Sequence, residues 1–250
     1  LKRFEQMNTY SFSRLTSWHT CKGAWKRNYI LEDKGENNWF SRFGSLGHLV
    51  FEKVDRKEIA PEQALQEWTS RYKEAVLLGA DTHEVPWMMK RYKGACDFFS
   101  GFTGWRTDPV WIEEHIDIDR GTFRFQGYVD RLSILPSGDY SMQDYKSSKR
   151  YEGKELKEKA RQMYLYSAAV NERFGVFPKN LIFFHFFQNI PVIIPFKMDD
   201  YWEAWDWAAR TVAEIEAYED DYPLTDNGYF CKAICNYRND CPVAAQSKKN

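Results

Sequence analysis

Residues 127–150, GYVDRLSILPSGDYSMQDYKSSKR, hold an aspartate in one apolar run and Asp-Tyr-Lys in the next, with a turn-forming PSGD between them. In an extended strand, side chains at i and i+2 share a face about 6–7 Å apart. Asp144 and Lys146 therefore project together, and the hairpin brings them beside the strand that carries Asp130. One strand earlier, Ile112, Glu114, Ile116 and Ile118 share a parity, which sets Glu114 on the apolar face. Converging carboxylates in apolar surroundings repel one another unless a cation compensates. Hard divalent ions such as Mg2+ or Mn2+ take oxygen ligands of this kind and serve phosphoryl chemistry. Lys146 beside such an ion would steady an attacking water or the charge developing on a phosphate. The plain alternative for Asp-x-Lys is a solvated edge hairpin, so this stretch alone does not decide.

The elements that must position these residues alternate between helical and strand periods. SFSRLTSWHTCKGAW, with Ser11 or Ser13 as N-cap, reads as one helix to about Tyr29. Further helices are expected over Phe43–Val54, over APEQALQEWTSRYKEAVLL with Pro61 in its first turn, and over VPWMMKRYKGACDFFSG. The stretch from Pro109 to Lys146 alternates with period two and suggests a three-strand meander. A helix then runs to Gly175, one or two strands follow in KNLIFFHFFQNIPVIIPF, and a last helix is capped by Asp199 or Asp200. No repeat or linker interrupts the chain, so it reads as one α/β domain over 1–250 with helical N-terminal decoration and a Cys-rich C-terminal tail.

The 250 residues carry 43% hydrophobic and 28% charged side chains, which fits a soluble globular chain and excludes a disordered one. The aromatic share of 17% leaves two readings open, a large core or stacking surfaces for bases or sugars. A net charge of −1 advertises no nucleic-acid partner globally, so any such site must be a local basic groove. No apolar run is long enough to span a bilayer, and LKRFEQMNTY lacks the apolar segment of a signal peptide, so a cytoplasmic setting with no membrane partner is expected.

Four motifs in order across most of the chain resemble the PD-(D/E)xK nuclease superfamily, in particular its RecB-like branch. They are GSLGH with Gly44 and His48, GYVDR with Gly127, Asp130 and Arg131, DYK, and QMYLY with Gln162 and Tyr166. The resemblance implies a restriction-endonuclease-like core, a central mixed β-sheet flanked by helices. It also implies that His48, Asp130, Asp144 and the Tyr145 carbonyl ligate the metal, with Lys146 catalytic and Glu114 at an acidic position of the preceding strand. Gln162 and Tyr166, at i and i+4 on one helix face, would orient the Lys146 region or a substrate phosphate. On a helical wheel His48 falls with Gly44 and Glu52, away from Leu46, Leu49, Val50 and Val54, so a glycine-bare face can approach the sheet. The sequence departs from the family after DYK, where SSKR stands in place of the frequent Thr-Gly.

Cys231, Cys235 and Cys241 lie within eleven residues, a spacing that favours metal over disulfide in a reducing compartment. The RecB-like branch includes iron–sulfur nucleases similar to this chain, the CRISPR-associated exonucleases and AddB-type subunits. Their cluster takes one upstream cysteine and three near the C-terminus. By that resemblance Cys21, Cys231, Cys235 and Cys241 would hold a [4Fe–4S] cluster, with a zinc ion on the same four thiolates as the chemical alternative. The gap between Cys231 and Cys235 is one residue longer than usual. Cys96 reads as a core residue. Such a cluster would close a loop of about 210 residues and staple the two ends of the chain together.

The resemblance implies a metal-dependent deoxyribonuclease, an exonuclease in recombination, repair or phage DNA metabolism, with a helicase or recombination protein as a possible companion. Its DNA would be single-stranded or carry free ends, held by Lys146, Lys149, Arg150 and Lys154 with Tyr151 stacking on bases. A non-catalytic DNA-end-binding or scaffold subunit is the alternative from another class. A metal enzyme on a small phosphorylated substrate lacks a Gly-rich phosphate loop.

Overall fold

The period-two stretch after Pro109 folds into strands β2 (Pro109–Asp119), β3 (Arg124–Ile134) and β4 (Tyr140–Lys146), the expected meander. The computed structural model describes residues 9–78 and 85–247. The leading segment expected to lack a signal peptide falls largely outside them. A short β1 (Thr9–Tyr10), invisible to periodicity at two residues, runs parallel to β3 through Thr9 opposite Arg124. β3 and β4 are antiparallel with Arg131 opposite Gln143, and their ladder stops there, short of Asp130 and Asp144. β4 is parallel to β5 (Asn180–His185) with Asp144 opposite Phe183, and β5 is antiparallel to β6 (Ile190–Pro195). The result is a mixed six-stranded sheet, order β1-β3-β4-β5-β6 with β2 on β3, flanked by helices. This is an α/β fold of the restriction-endonuclease-like kind.

The single helix expected from Ser11 to Tyr29 is two helices, α1 (Phe12–Thr20) and α2 (Lys22–Tyr29). Ser11 caps the first by accepting a hydrogen bond from the Arg14 N–H. The break falls at Cys21, whose extended backbone (φ −163°, ψ 109°) ends α1 and opens α2. Helix α3 (Trp39–Asp55) begins four residues earlier than the apolar period suggests. α4 (Ala64–Ala75) follows a 3₁₀ turn at Pro61–Gln63, and α5 (Pro86–Ser100) and α6 (Gly153–Phe174) lie as expected. α7 (Met198–Glu216) already includes Asp199 and Asp200 in its first turn, so neither is its cap. Acidic side chains there still favour the helix through its dipole. A π-helical turn at Phe230–Ile234 and α8 (Pro242–Ser247) complete the described elements.

The chain divides into two compact units. The larger comprises Arg42–Ile116 and Gly127–Ala204; the smaller gathers the described residues up to Ser41, Asp117–Gln126, and those from Trp205 onward. Much of the aromatic content is core. In the larger unit the α3 stripe Phe43, Leu46, Val50 and Phe51 is buried, with Phe43 edge-on to Trp68 and Phe51 stacked on Tyr145 at 4.2 Å between ring centres. Burying such a ring stabilises by about 1.5–3 kcal/mol. In the smaller unit Trp18 packs edge-on against Trp25, Tyr218 and Tyr222. No described helix is long and apolar enough to cross a membrane.

Candidate functional site

Where β3 and β4 part, the freed backbone of β4 meets side chains from two other elements, all within the larger unit. Asp130 Oδ2 accepts a hydrogen bond from the Tyr145 N–H at 2.7 Å, a contact made where the strand ladder has stopped. From α3, His48 Nε2 lies 2.9 Å from the Tyr145 carbonyl oxygen. Its Nδ1 lies 3.3 Å from Glu113 Oε1 and 3.5 Å from Asp130 Oδ2. Donor atoms of His48, Glu113 and Asp130 all fall within 4.8 Å of one another, the spacing at which one ion can be shared.

Charge crowding sets the protonation of this group. Burial opposes a charged His48, yet the carboxylates of Asp130, Glu113 and Asp144 outweigh it and push its pKa up to about 9. Burial, reinforced by the charges of Asp144 and Glu113, raises Asp130 to about 7. Without a metal, an imidazolium thus supplies the positive charge the carboxylates need. Asp144 is buried, and its Oδ2 stands 2.5 Å from Lys146 Nζ, within ion-pair distance but outside hydrogen-bond alignment. Burial works against the Lys146 ammonium, and the adjacent Asp144 charge more than offsets it, so the lysine pKa is raised. Oxygen donors joined by one imidazole, with an under-bonded carboxylate beside them, fit a divalent metal ion.

Lys146 Nζ also donates to Gln162 Oε1 at 3.1 Å, and Gln162 Nε2 donates to Tyr166 Oη at 3.3 Å. Of the i, i+4 pair on α6, Gln162 thus meets the lysine and Tyr166 meets Gln162. Gly127 makes room for this chain, because a Cβ there would come within 2.6 Å of the Tyr166 ring and hydroxyl. At Gly44 a Cβ would meet Ser147 Oγ at 3.0 Å, so the bare face of α3 lies against the segment that follows β4. His185, fully buried, receives the Tyr151 N–H on Nε2 and donates from Nδ1 to the Ser148 carbonyl, which pins that same segment.

Two expectations change. Glu114 is exposed and stands outside the ion-sized group, while Glu113 occupies the acidic position. The cause is local: Glu113 has a left-handed φ of +48° inside β2, and the resulting kink breaks the alternation on which the parity argument relied. Tyr151, expected to stack on bases, is buried edge-on against Phe183 and His185. Of the expected basic wall, Lys149 and Arg150 are exposed, and Arg150 pairs with Glu152.

Sequence reasoning also passed over Asp55, the last residue of α3. Arg131 Nε lies 3.1 Å from both Asp55 oxygens, each side chain is 3% exposed, and Tyr145 Oη donates to Asp55 Oδ2 at 3.2 Å. The arginine of GYVDR thus ties the end of α3 to the sheet, two turns from His48. Only an unpaired acid at a helix end hinted at it.

In the smaller unit, Cys21, Cys231, Cys235 and Cys241 line one cavity of about 210 Å3, walled by Ala24, Leu224, Phe230, Pro242 and Ala244 among others. The π-helical turn lies between the first two C-terminal cysteines, with the Cys235 N–H donating to the Phe230 carbonyl at 2.8 Å. A π turn takes up one residue more than an α turn, so the longer Cys231–Cys235 gap is absorbed locally. Burial raises the Cys235 thiol pKa. Cys96 belongs to the other unit and is half-buried.

The family model of the PD-(D/E)XK nuclease superfamily matches residues 9–242. Among solved structures, a candidate exonuclease from Eubacterium rectale is similar at a TM-score of 0.53 and 11% identity, over 96% of this chain and 88% of that one. SSO0001 aligns at a TM-score of 0.41 and 14% identity, over 95% of this chain and 87% of that one. No curated protein matches. Identities this low speak to fold alone, but the family match runs through every strand and helix that carries the residues gathered around Tyr145. The chain belongs to the PD-(D/E)XK nuclease superfamily.

Proposed function

We propose that the protein is a Mg2+- or Mn2+-dependent deoxyribonuclease of the RecB-like branch, an exonuclease that favours single-stranded ends, active in DNA recombination, repair or phage DNA metabolism in the cytoplasm. The observation that carries this reading is the convergence of His48, Glu113 and Asp130 on an ion-sized space beside Asp144 and Lys146. His48, Glu113, Asp130, Asp144 and the Tyr145 carbonyl are the residues that would hold the ion. Such an ion supplies Lewis-acid polarisation of the phosphate and a more acidic water. Hydrolysis joins a water oxygen to phosphorus and releases the sugar oxygen of the next nucleotide. Lys146, paired with Asp144 and bonded to Gln162, serves as a charge and donor toward the phosphate. Gln162 holds that ammonium in place, and Tyr166 holds Gln162.

By the resemblance, Cys21, Cys231, Cys235 and Cys241 would hold a [4Fe–4S] cluster, with a single zinc ion as the chemical alternative. What supports a site there is that all four line one cavity.

The nuclease reading is tested with end-labelled single-stranded DNA and Mn2+. Asp144→Asn and Lys146→Ala should each lose at least about a hundredfold in cleavage, the scale of removing one transition-state contact, and still bind DNA and melt cooperatively. Cleavage by either within a few-fold of the parent would reject the site. DNA binding without cleavage by the parent would favour an end-binding subunit.

A further inference from the structure

Alternation along a strand explains why every second side chain is exposed, but not why one of them is a large aromatic. Tyr128 on β3 is 57% exposed between the buried Gly127 and Val129. Its ring meets the exposed ring of His115 on β2, 5.0 Å between centres and inclined by 55°. Cross-strand ring pairs contribute about 0.2–1 kcal/mol to a sheet, which by itself explains a pair but not its place. Tyr128 lies two residues before Asp130, and His115 two residues after Glu113. Tyr128 and His115 thus stand two residues, about 6–7 Å of strand backbone, from Asp130 and Glu113 of the ion-sized group. Both belong, like that group, to the larger unit.

We infer that Tyr128, flanked by His115, is the platform on which an unpaired base stacks when the neighbouring phosphate sits at the ion site. The inference rests on the nuclease reading and adds a substrate feature to it: the strand is read through the face of a base, one nucleotide from the scissile bond. Tyr151, the aromatic nearest in sequence to Lys146 beyond the strand, is sealed in the core and cannot serve. An aromatic face accepts every base, so the platform selects for unpaired DNA without selecting sequence. In duplex DNA both faces of an internal base are already stacked. Only a single strand or a frayed end presents one.

The experiment couples the side chain to the base. Single-stranded oligonucleotides, intact or with an abasic spacer stepped through the nucleotides around the scissile bond, are cut by the parent, Tyr128→Ala and Tyr128→Phe with Mn2+. Binding of the same oligonucleotides is measured by fluorescence anisotropy in the Asp144→Asn background. Tyr128→Ala should lower kcat/KM on intact DNA by about five- to a hundredfold, chiefly through KM, the range expected for one stacked base. Tyr128→Phe should retain most of the parent's rate. At one spacer position the parent should fall to the level of Tyr128→Ala, and there the two should no longer differ. Equal losses at every spacer position would show a merely structural tyrosine and overturn the platform, as would no loss at all. If the parent binds DNA with this coupling but never cuts, the platform stands and the nuclease reading fails. If the parent cuts but the coupling is absent from both readouts, only the platform fails. If it neither binds nor cuts, both fail.

Discussion

At position 113 a glutamate adopts the left-handed φ of +48°, a backbone region that L residues other than Asn and Asp rarely enter. The strain is local, and its effect is to turn Glu113 toward His48 while Ile116 and Ile118 remain buried. Strand parity is legible in a sequence; a kink at a residue with no glycine to announce it is not. That is why Glu114 read as the site residue and Glu113 is the one that arrives. His48, Asp130, Asp144 and Lys146 could be picked out because a motif depends on residue type and order, whatever the backbone does between them, and the structure places all four around Tyr145. Glu113→Gln should therefore weaken Mn2+ binding and cleavage by at least about tenfold, whereas Glu114→Gln should stay within about twofold of the parent, as an exposed side chain outside the group. Mn2+-dependent thermal shifts and kcat/KM for the two variants decide between the neighbours, and the reverse ranking would restore Glu114.

At the scale of elements, the site depends on how α3 is fixed to the sheet. Phe51 stacks on Tyr145, Tyr145 bonds to Asp55, and Asp55 is paired with Arg131 in a nearly dry environment. Burial raises the Asp55 pKa and the Arg131 charge works to lower it, so the carboxylate leans on its partner. Removing one member of such a pair strands the other, at a cost of roughly 3–5 kcal/mol. Arg131→Ala should lower stability by about that amount in urea titrations. The pair replacement Asp55→Leu with Arg131→Met should recover much of the loss, because a buried ion pair itself contributes little beyond what well-packed apolar groups would. A double variant no more stable than Arg131→Ala would argue that the guanidinium bonds to Thr107 matter more than the ion pair. None of this was legible beforehand, since Asp55 and Arg131 lie 76 residues apart and nothing local in either predicts the other.

At the scale of the whole molecule, the alternation of helix and strand gave the architecture, and its long periods named most elements. What it could not show was the break at Cys21, because SFSRLTSWHTCKGAW keeps a helical pattern through a residue whose backbone is extended. Nor could it show that protein contacts already hold the first and last chain segments of the smaller unit together. The Gly23 N–H donates to the Pro223 carbonyl, Trp18 Nε1 to Glu214, and Arg27 bridges Asp33 and Asp240. The proposed cluster would therefore add to a structure already joined by these contacts rather than be its sole staple. Under anaerobic purification the protein should carry about four irons per chain. Cys235→Ala should lose them and loosen 225–241 to hydrogen exchange while the α1–α7 amides stay protected, and Cys96→Ala should keep the iron. One tightly bound zinc in a colourless protein would reverse the cofactor assignment.

The smaller unit is assembled from segments that the ribosome releases far apart in time. Cys21 emerges 210 residues before Cys231, an interval of about 10–40 s at a synthesis rate of roughly 5–20 residues per second. Throughout it the apolar faces of α1 and α2, Trp18 and Trp25 foremost, have no Tyr218 or Tyr222 to cover them. By contrast, the last side chain of the metal site, Tyr166, is made well before the unit that carries the cysteines can close. Every residue proposed for the nuclease site thus precedes the last three cysteines in the chain, and an ion could be held there before those cysteines exist.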